Sequence, residues 1–390
     1  FSYRKDGNPD SENGIFNKHT KYGGAKIILY PNEGQNVKND DFKNDNRTYK
    51  MSLKFNNYLL PVNDTVYSCM NYDITKMAAE TTKLPYGTIY HAVAYEPIVD
   101  NSEFMHHIVM FSCDSNIQIQ PEPYKCRALP RECTKIQFEW APGSGIYQLP
   151  NEVGILWGVS ENRNIILQYH YDNPKKKSGA IDSTFVNVYF TTKLRQYDAA
   201  TTSLGYPTPF IKIPSNNKAY TIGDTCSEPC TKFMKGDINV FSVFLHGHNY
   251  LRKIRTEIIY ANGTIDNTTM IENNYRFDHQ KYIYFKNPIK ITPKDKLLTY
   301  CTYDTSNSTD EVLGGDSSSE EMCFNFMSYY PRENGLTQCY GSLPIIIGCG
   351  AYNKFDRNST ISEIEISSNF LSTNFSQYII IIYLIMLYIY

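Results

Sequence analysis

The chain has 390 residues and a formal net charge of -2 at pH 7, with 38 Lys and Arg against 40 Asp and Glu. This balance argues against a nucleic-acid-binding protein, which needs a basic face, so no nucleic-acid partner is expected. Hydrophobic residues make up 41% of the chain, which excludes a disordered protein, and 33 Tyr with 20 Phe favour β-rich domains. At about 150 residues a domain, the length suggests two domains or three.

The first 48 residues are polar, rich in Asn, Asp, Lys and Gly, and contain one strand-like run at 25–30. The chain begins without a Met or an apolar leader, so a leader was removed or the chain is a fragment. We interpret residues 1–48 as the remnant of an upstream module with its linker.

The middle of the chain predicts short strands separated by turn residues. Strands are expected at 104–113, 165–171, 184–192, 240–248, 255–260, 281–285 and 296–303. Clusters of Asn, Gly and Pro between them are typical of antiparallel sandwiches or jelly rolls. Residues 199–214 contain three prolines and little periodicity, so the domain boundary is placed there, with domains at 49–200 and 201–355.

Ten cysteines and seven Asn-x-Ser/Thr sequons favour the oxidising secretory pathway. The sequons, each a candidate glycosylation site, are at Asn46, Asn63, Asn262, Asn267, Asn307, Asn358 and Asn374. A cytosolic protein with metal-binding thiols is the alternative, but Cys226 and Cys230 lack the second close pair that a zinc site needs. We therefore expect a protein that is secreted, held in a vesicle lumen, or anchored on the luminal or extracellular side.

The C-terminal end, residues 356–390, is a polar stalk followed by 13 uncharged, mostly apolar residues at 378–390. A membrane-spanning helix needs about 20 apolar residues. Small residues at Ser367 and Ser368, a polar spacer and an apolar end are typical of a cleaved lipid-anchor signal. An anchor signal, a truncated membrane helix and a gene-prediction artefact all stay open, and with them membrane attachment.

Five of the eight histidines fall in three short contexts, at His106, His107, His170, His246 and His248. Alternate residues of a strand face the same side, so His246 and His248 can bind one metal, and Gly247 allows close approach to the backbone. Adjacent residues face opposite sides, so His106 and His107 can share a metal only where their strand is bulged or twisted. Locally hydrogen-bonded strand histidines are the alternative.

The metal is suggested by one methionine. Imidazoles suit Zn, Cu, Ni or Fe, whereas a thioether ligand points to copper because it is soft and prefers Cu(I). Met322 follows the carboxylates Glu320 and Glu321, which we interpret as a solvated acidic run, and it leads into a predicted strand. A buried Met is more often core filling, so Met322 alone does not decide the metal.

Several segments occur in an order shared with a known family. They are Tyr95-Glu96-Pro97-Ile98-Val99, Met105-His106-His107, Trp140-Ala141-Pro142-Gly143, His170-Tyr171-Asp172-Asn173-Pro174, Leu245-His246-Gly247-His248, Cys301-Thr302-Tyr303-Asp304-Thr305, Gly314-Gly315, Glu321-Met322-Cys323 and Tyr329-Tyr330-Pro331. Over residues 66–340 the chain thus resembles the copper type II, ascorbate-dependent monooxygenases, which include dopamine β-hydroxylase, its relatives and peptidylglycine α-hydroxylating monooxygenase. The polar N-terminal stretch resembles the end of the DOMON module of dopamine β-hydroxylase-like members.

The resemblance implies an all-β chain of two tandem antiparallel jelly-roll-like β-sandwich domains, each holding one copper. The ligands of the electron-transfer copper would be His106, His107 and His170. The ligands of the catalytic copper would be His246, His248 and Met322. Ascorbate would supply two electrons, and O2 would give one oxygen atom to a substrate C–H bond and the other to water. His91, upstream of the first pair, is a candidate to support the electron-transfer copper.

The resemblance also implies disulfides. The pairs are Cys69–Cys126, Cys113–Cys133, Cys226–Cys339 and Cys301–Cys323, with Cys230–Cys349 left by elimination.

Two departures bear on the substrate. Peptide-amidating members hold a substrate carboxylate with an Arg two residues before the H-x-H and a Tyr four residues after the Met, where this chain has Phe244 and Phe326. We therefore expect a dopamine β-hydroxylase-like enzyme for a small, amine-bearing substrate, without an assigned substrate-binding residue. A non-catalytic copper-binding secreted or cell-surface protein and a peptidylglycine-type hydroxylase are the alternatives, and self-association stays open.

Overall fold

A computed structural model describes residues 41–349 except 114–116, 121, 127–128, 131, 159–161, 232–233, 334–335 and 344–347. Most of the predicted upstream remnant (1–40), the stalk and tail at 356–390, and the sequons at Asn358 and Asn374 lie outside the described residues. Within the described part, no helix is long and apolar enough to cross a membrane.

The first part of the described chain is a sandwich of two mainly antiparallel sheets. Its strands are β1 (Thr48–Lys54), β2 (Tyr58–Leu59), β3 (Thr65–Asp73), β4 (Tyr90–Ile98), β5 (Met105–Cys113), β6 (Tyr124–Lys125), β7 (Lys135–Trp140), β8 (Tyr147–Gln148), β9 (Val153–Trp157), β10 (Asn164–Asp172), β11 (Ile181–Asp182), β12 (Phe185–Thr191) and β13 (Tyr197–Asp198). One sheet has the order β1-β12-β4-β9-β13 with β8 beside β4, and the other has the order β6-β3-β10-β5-β7. Buried side chains of both sheets form one hydrophobic core. Two helices flank them, α1 (Asp41–Asn44) and α2 (Ile74–Thr82).

The second part repeats this architecture. Its strands are β14 (Ala200–Gly205), β15 (Lys212–Ile213), β16 (Tyr220–Cys226), β17 (Ile238–His246), β18 (Leu251–Ile259), β19 (Ile265–Glu272), β20 (Tyr282–Ile291), β21 (Lys296–Tyr303), β22 (Val312–Leu313), β23 (Phe324–Tyr330) and β24 (Gln338–Cys339). The order β20-β17-β23-β14-β24 forms one sheet and β16-β21-β18-β19 forms the other. A short helix, α3 (Glu228–Thr231), and a 3-10 turn at Thr208–Phe210 complete the described elements.

This architecture confirms the prediction of an all-β chain with two sandwich domains. Residues 199–214, where the domain boundary was predicted, contain β14, which lies in the larger sheet of the second part between β23 and β24. The chain passes from a sheet of the first sandwich to a sheet of the second between Asp198, the last residue of β13, and Ala200, the first residue of β14.

Tyrosines on the facing sheets join the two domains. The Tyr147 ring stacks on Tyr282 with 4.4 Å between ring centroids, and the Tyr147 hydroxyl donates to Ser328 Oγ at 3.0 Å. The Tyr284 hydroxyl accepts the backbone N–H of Gln148 at 3.1 Å. These contacts, of which the Tyr147–Ser328 hydrogen bond is fully buried, fix the face of one sandwich against the other.

Five disulfides are present in the structure. They are Cys69–Cys126, Cys113–Cys133, Cys226–Cys339, Cys230–Cys349 and Cys301–Cys323. Each joins two cysteines that the sequence analysis paired. The five described sequon asparagines are all exposed, at Asn46, Asn63, Asn262, Asn267 and Asn307.

Candidate metal centres

The first histidine group lies where β5 pairs with β10. In this register His107 opposes His170 and Met105 opposes Tyr171, so His106 is an extra residue of β5. A bulge of this kind bends the strand and re-aims the side chain of the extra residue. The structure therefore meets the condition under which two adjacent histidines can share a metal.

The three rings of this group point their Nδ1 atoms at one another. The Nδ1 atoms of His106 and His170 lie 2.9 Å apart, those of His107 and His106 3.0 Å, and those of His170 and His107 3.2 Å. Three atoms at such distances share a point about 2 Å from each, which is a usual metal–imidazole distance. The Nε2 atoms of His106 and His170 are buried without a hydrogen-bond partner among the described residues.

The protonation state of the three rings suits metal binding. The pKa values of His106, His107 and His170 lie well below the ordinary value for histidine. Burial is the main cause, and the neighbouring histidines add to it. The rings are therefore neutral at pH 7, and each has one nitrogen lone pair to offer. Three neutral imidazoles are a donor set that copper accepts in both oxidation states.

Two aromatic side chains hold this group in place. The Tyr67 ring stacks on His170 with 4.2 Å between centroids, and its hydroxyl donates to the backbone O of Asp316 in the second domain at 2.9 Å. Phe277, also from the second domain, stacks on His106 at 4.4 Å. The first histidine group is thus positioned from both domains.

The second group is oriented by hydrogen bonds. His246 ends β17, and its Nδ1 lies 2.8 Å from Gln280 Oε1, while His248 Nδ1 lies 3.0 Å from the backbone O of Glu320. Both partners are acceptors, so each Nδ1 carries the proton and each Nε2 lone pair is left for a metal. Burial lowers the pKa of His246 to about 4 and of His248 to about 3.

The geometry of the H-x-H segment differs from the expectation. His248 lies beyond the end of β17, so strand alternation does not align it with His246. The hydrogen bonds to Gln280 and to the backbone O of Glu320 set the ring directions instead. The rings lie 5.5 Å apart, with an angle of 88° between their planes.

The backbone of Met322 lies beside the H-x-H segment. A Cβ on Gly247 would lie 2.9 Å from the backbone O of Met322, so glycine allows the two backbones to approach closely. The Tyr303 hydroxyl donates to the same backbone O at 2.9 Å, and the adjacent Cys323 is tied to Cys301. The backbone of the thioether residue is therefore fixed next to the two histidines.

Glu321 organises the turn, and its role was missed in the sequence. Its side chain is fully buried, which corrects the expectation of a solvated acidic run, whereas Glu320 is half-buried. Glu321 Oε2 accepts the backbone N–H groups of His248 and Met322 at 2.9 and 3.2 Å. Its Oε1 accepts those of Tyr250 and Leu251 at 2.5 and 3.2 Å. One carboxylate thus ties the H-x-H segment to the methionine segment.

The first domain also supports the second histidine group. In the turn Trp140-Ala141-Pro142-Gly143, the backbone O of Pro142 accepts the N–H of Gln280 at 2.8 Å, and Gln280 holds His246. Gly143 has a φ of +102°, and a Cβ there would lie 2.7 Å from His279 Nδ1, so only glycine fits. This turn thus has a structural use at the domain interface.

The two groups lie next to each other across that interface. The ring centroids of His106 and His248 are 5.9 Å apart, and those of His107 and His246 are 5.5 Å apart. His91 lies elsewhere: its Nε2 is 2.9 Å from Asp198 Oδ1, and its Nδ1 accepts the N–H of Arg195. Both ring nitrogens of His91 are therefore engaged by Asp198 and Arg195, and neither contacts the three-histidine group that His91 was expected to support.

A cavity of about 150 Å³ opens beside both groups. It is bordered by His107 from the first domain and by His246 and Met322 from the second. Phe244 and Phe326, directly opposite each other on β17 and β23, line it too. The chain thus presents apolar rings at the two positions where peptide-amidating members are expected to bind a carboxylate.

Glu139, which also lines the cavity, predicts a pH dependence of stability. Burial raises the pKa of its carboxyl to about 8, so between about pH 5 and 8 the folded state keeps a proton that the unfolded chain has lost. Stability therefore falls as pH rises through this window, by about 1 kcal/mol per pH unit from this group. In urea unfolding, the stability of Glu139→Gln should fall with pH by about 1 kcal/mol per unit less than that of the unmodified protein, whereas the exposed Glu80→Gln should match the unmodified protein. The same pH dependence of stability in all three proteins would contradict the prediction.

Comparison with known proteins agrees with this site. The N-terminal domain of the copper type II ascorbate-dependent monooxygenases matches residues 51–178, and the C-terminal domain matches residues 197–347. Dopamine beta-hydroxylase of Bos taurus is 31% identical over 301 residues, which cover 74% of this chain and 47% of that protein. DBH-like monooxygenase protein 1 of Gallus gallus is 30% identical over 304 residues, with 74% and 48% covered.

Structural comparison adds little. A chain from the structure of Broad Bean Stain Virus covers 79% of this chain and 94% of its own length, at 10% identity and a TM-score of 0.33. The chain spans about half the length of the curated relatives named above. Both domains of one enzyme family nevertheless match in order over the two sandwiches. The chain therefore belongs to the copper type II ascorbate-dependent monooxygenases, whose cofactor is copper and whose co-reactants are ascorbate and O2.

Proposed function

We propose that this protein is a copper- and ascorbate-dependent monooxygenase that hydroxylates a C–H bond of a small, amine-bearing substrate with O2. The observation that carries the proposal is the pair of donor sets around one cavity. His107 of the first set and His246 with Met322 of the second all border that space.

The donor sets fit the two roles that the family implies. Three imidazoles, from His106, His107 and His170, would hold one copper in both oxidation states. Two imidazoles and the softer thioether of Met322 would hold a second and favour Cu(I). When bound, the coppers would supply single electrons and activate O2, with ascorbate as the reductant.

The chain's own residues do the positioning. Glu321 and Gln280 hold the second histidine group, and Tyr67 and Phe277 hold the first. Phe244 and Phe326 make the cavity wall apolar, which limits water beside the reacting carbon and favours an apolar substrate body. This wall supports an amine-bearing substrate over a glycine-extended peptide, whose carboxylate it does not match.

An oxygen-uptake experiment tests this function. Copper-loaded protein with ascorbate is given 2-phenylethylamine or a glycine-extended peptide, under ¹⁸O₂, and products are analysed by mass spectrometry. We expect uptake with the amine and one ¹⁸O atom in its product, with no conversion of the peptide. Copper binding without any substrate-dependent uptake would favour the non-catalytic copper-binding protein, and conversion of the peptide would favour the peptidylglycine-type enzyme.

We also propose that the protein works in the lumen of the secretory pathway or outside the cell. Five disulfides and the exposure of Asn46, Asn63, Asn262, Asn267 and Asn307 support this location. Glycosidase treatment of protein made in a secretory host should lower its mass; an unchanged mass would contradict glycosylation at these sites.

A further inference from the structure

We propose that the carboxyl group of Glu139 pairs with the ammonium group of the substrate and thereby makes the cavity select amines. This inference rests on the proposed function and assigns the substrate-binding residue that the sequence left open.

Glu139 is buried, and only one of its two carboxyl oxygens has a hydrogen-bond partner among the described residues. It lies near the end of β7 with 3% of its surface exposed. The Tyr282 hydroxyl lies 2.9 Å from Oε2, whereas Oε1 is buried without a hydrogen-bond partner among the described residues. A buried carboxylate oxygen without a partner costs free energy, so a ligand that brings a donor would be favoured at this position.

The charges around the cavity select a cation. None of the described residues that line it is Lys or Arg, whereas Glu139 and Asp316 are both acidic. An anionic substrate would therefore find no Lys or Arg side chain among these residues, whereas an amine would find a carboxyl oxygen without a partner among the described residues. The rings of Trp140, Phe244 and Phe326 offer apolar and cation–π contacts to the rest of such a ligand.

The size of the cavity limits the ligand. Its volume is about 150 Å³, and an engineered apolar cavity of about that volume binds benzene. An aryl or short apolar body with one amine therefore fits. Because His246 and Met322 border the same cavity, an ammonium at Glu139 would keep that body beside the second histidine group.

The ionisation of Glu139 agrees with this role. Burial raises the pKa of its carboxyl to about 8, so the empty cavity keeps the group protonated at pH 7. An ammonium supplies the missing positive charge, and the carboxyl proton then leaves to solvent. The titratable groups that face Glu139 or share its cavity are Tyr147, Tyr282, Tyr67, His107, His246 and Asp316.

Calorimetry on the copper-loaded full chain tests the assignment. The probes are two matched pairs, benzylamine with benzyl alcohol and 2-phenylethylamine with 2-phenylethanol, titrated at pH 7 in two buffers of different ionisation enthalpy. We expect at least one amine to bind about tenfold or more tightly than its alcohol, and its binding to release close to one proton. Glu139→Gln should lose both the preference and the proton release while binding the alcohol as before.

Two further variants serve as controls. Glu80→Gln removes an exposed charge on α2 and should behave as the unmodified protein. Glu139→Asp keeps the charge on a shorter side chain, so its amine preference should be weakened; this variant serves if Glu139→Gln does not fold. No amine preference in the unmodified protein, or an unchanged preference in the Glu139 variants, would overturn the assignment.

Oxygen uptake on the same samples separates the two proposals. A Glu139-dependent amine preference without hydroxylation would keep the assignment and contradict the proposed reaction. Hydroxylation without such a preference would keep the reaction and overturn the assignment.

Discussion

Replacement of either His170 or His246 by alanine will lower ascorbate-driven O2 consumption by at least about 100-fold, because each removes one imidazole from a different donor set. Loss of a hydrogen bond behind a metal ligand costs 10- to 100-fold in affinity or activity, so loss of the ligand itself should reach or exceed the upper end. The two sets share one task in the proposed reaction, and neither should replace the other. Oxygen-electrode rates at saturating ascorbate and substrate measure the effect.

The control for these two variants is His19→Ala, which removes a histidine outside the described residues with no assigned role. It should retain the rate of the unmodified protein. Urea unfolding of all three variants shows whether each is folded. A rate above about a tenth of normal in folded His170→Ala would contradict a need for the first group, since a lost ligand should cost more.

Glu321→Gln will lower the free energy of unfolding by about 3 kcal/mol, because one carboxylate accepts four backbone N–H groups. An amide keeps one oxygen and turns the other into a donor, so two buried N–H groups would face an NH2 group. Burial raises the pKa of Glu321 to about 7, so unfolding is best measured near pH 8, where the group is ionised. Urea denaturation gives the difference.

Glu320→Gln is the matched control, one residue away. Its Oε2 accepts one N–H, that of Ser317 at 2.9 Å, in a half-buried position. We expect a loss of about 1 kcal/mol or less. Equal losses of unfolding free energy in the two variants would mean that the four hydrogen bonds to Glu321 stabilise the fold no more than the single hydrogen bond to Glu320.

The bulge at His106 could be anticipated from the sequence because its constraint is local. Adjacent His106 and His107 require a bulge if they act together, and that requirement follows from strand geometry alone. The H-x-H segment was less predictable. Strand alternation assumes that both histidines lie on one strand, but β17 ends at His246, and contacts from Gln280 and Glu320 set the rings. Partners so distant in sequence leave no local signal.

Two carboxylates show the same limit. Glu321 follows a Ser-rich acidic run that is typical of solvent exposure, and its burial comes from a turn about 70 residues earlier in the chain. Glu139 alternates with Lys135 and Gln137 on β7, which predicts a solvated face. The Glu139 carboxyl instead meets the Tyr282 hydroxyl of the second domain. Strand β14 was missed for a related reason, because its partner β23 lies more than 100 residues away.

The copper-to-protein ratio, after copper loading and dialysis of the full chain, tests the central claim most directly. Two donor sets predict a ratio of about two in the unmodified protein, and of about one in Met322→Ala or His246→Ala, where only the first set is complete. A ratio of about one or zero in the unmodified protein would show that a proposed site does not form, and would contradict the account.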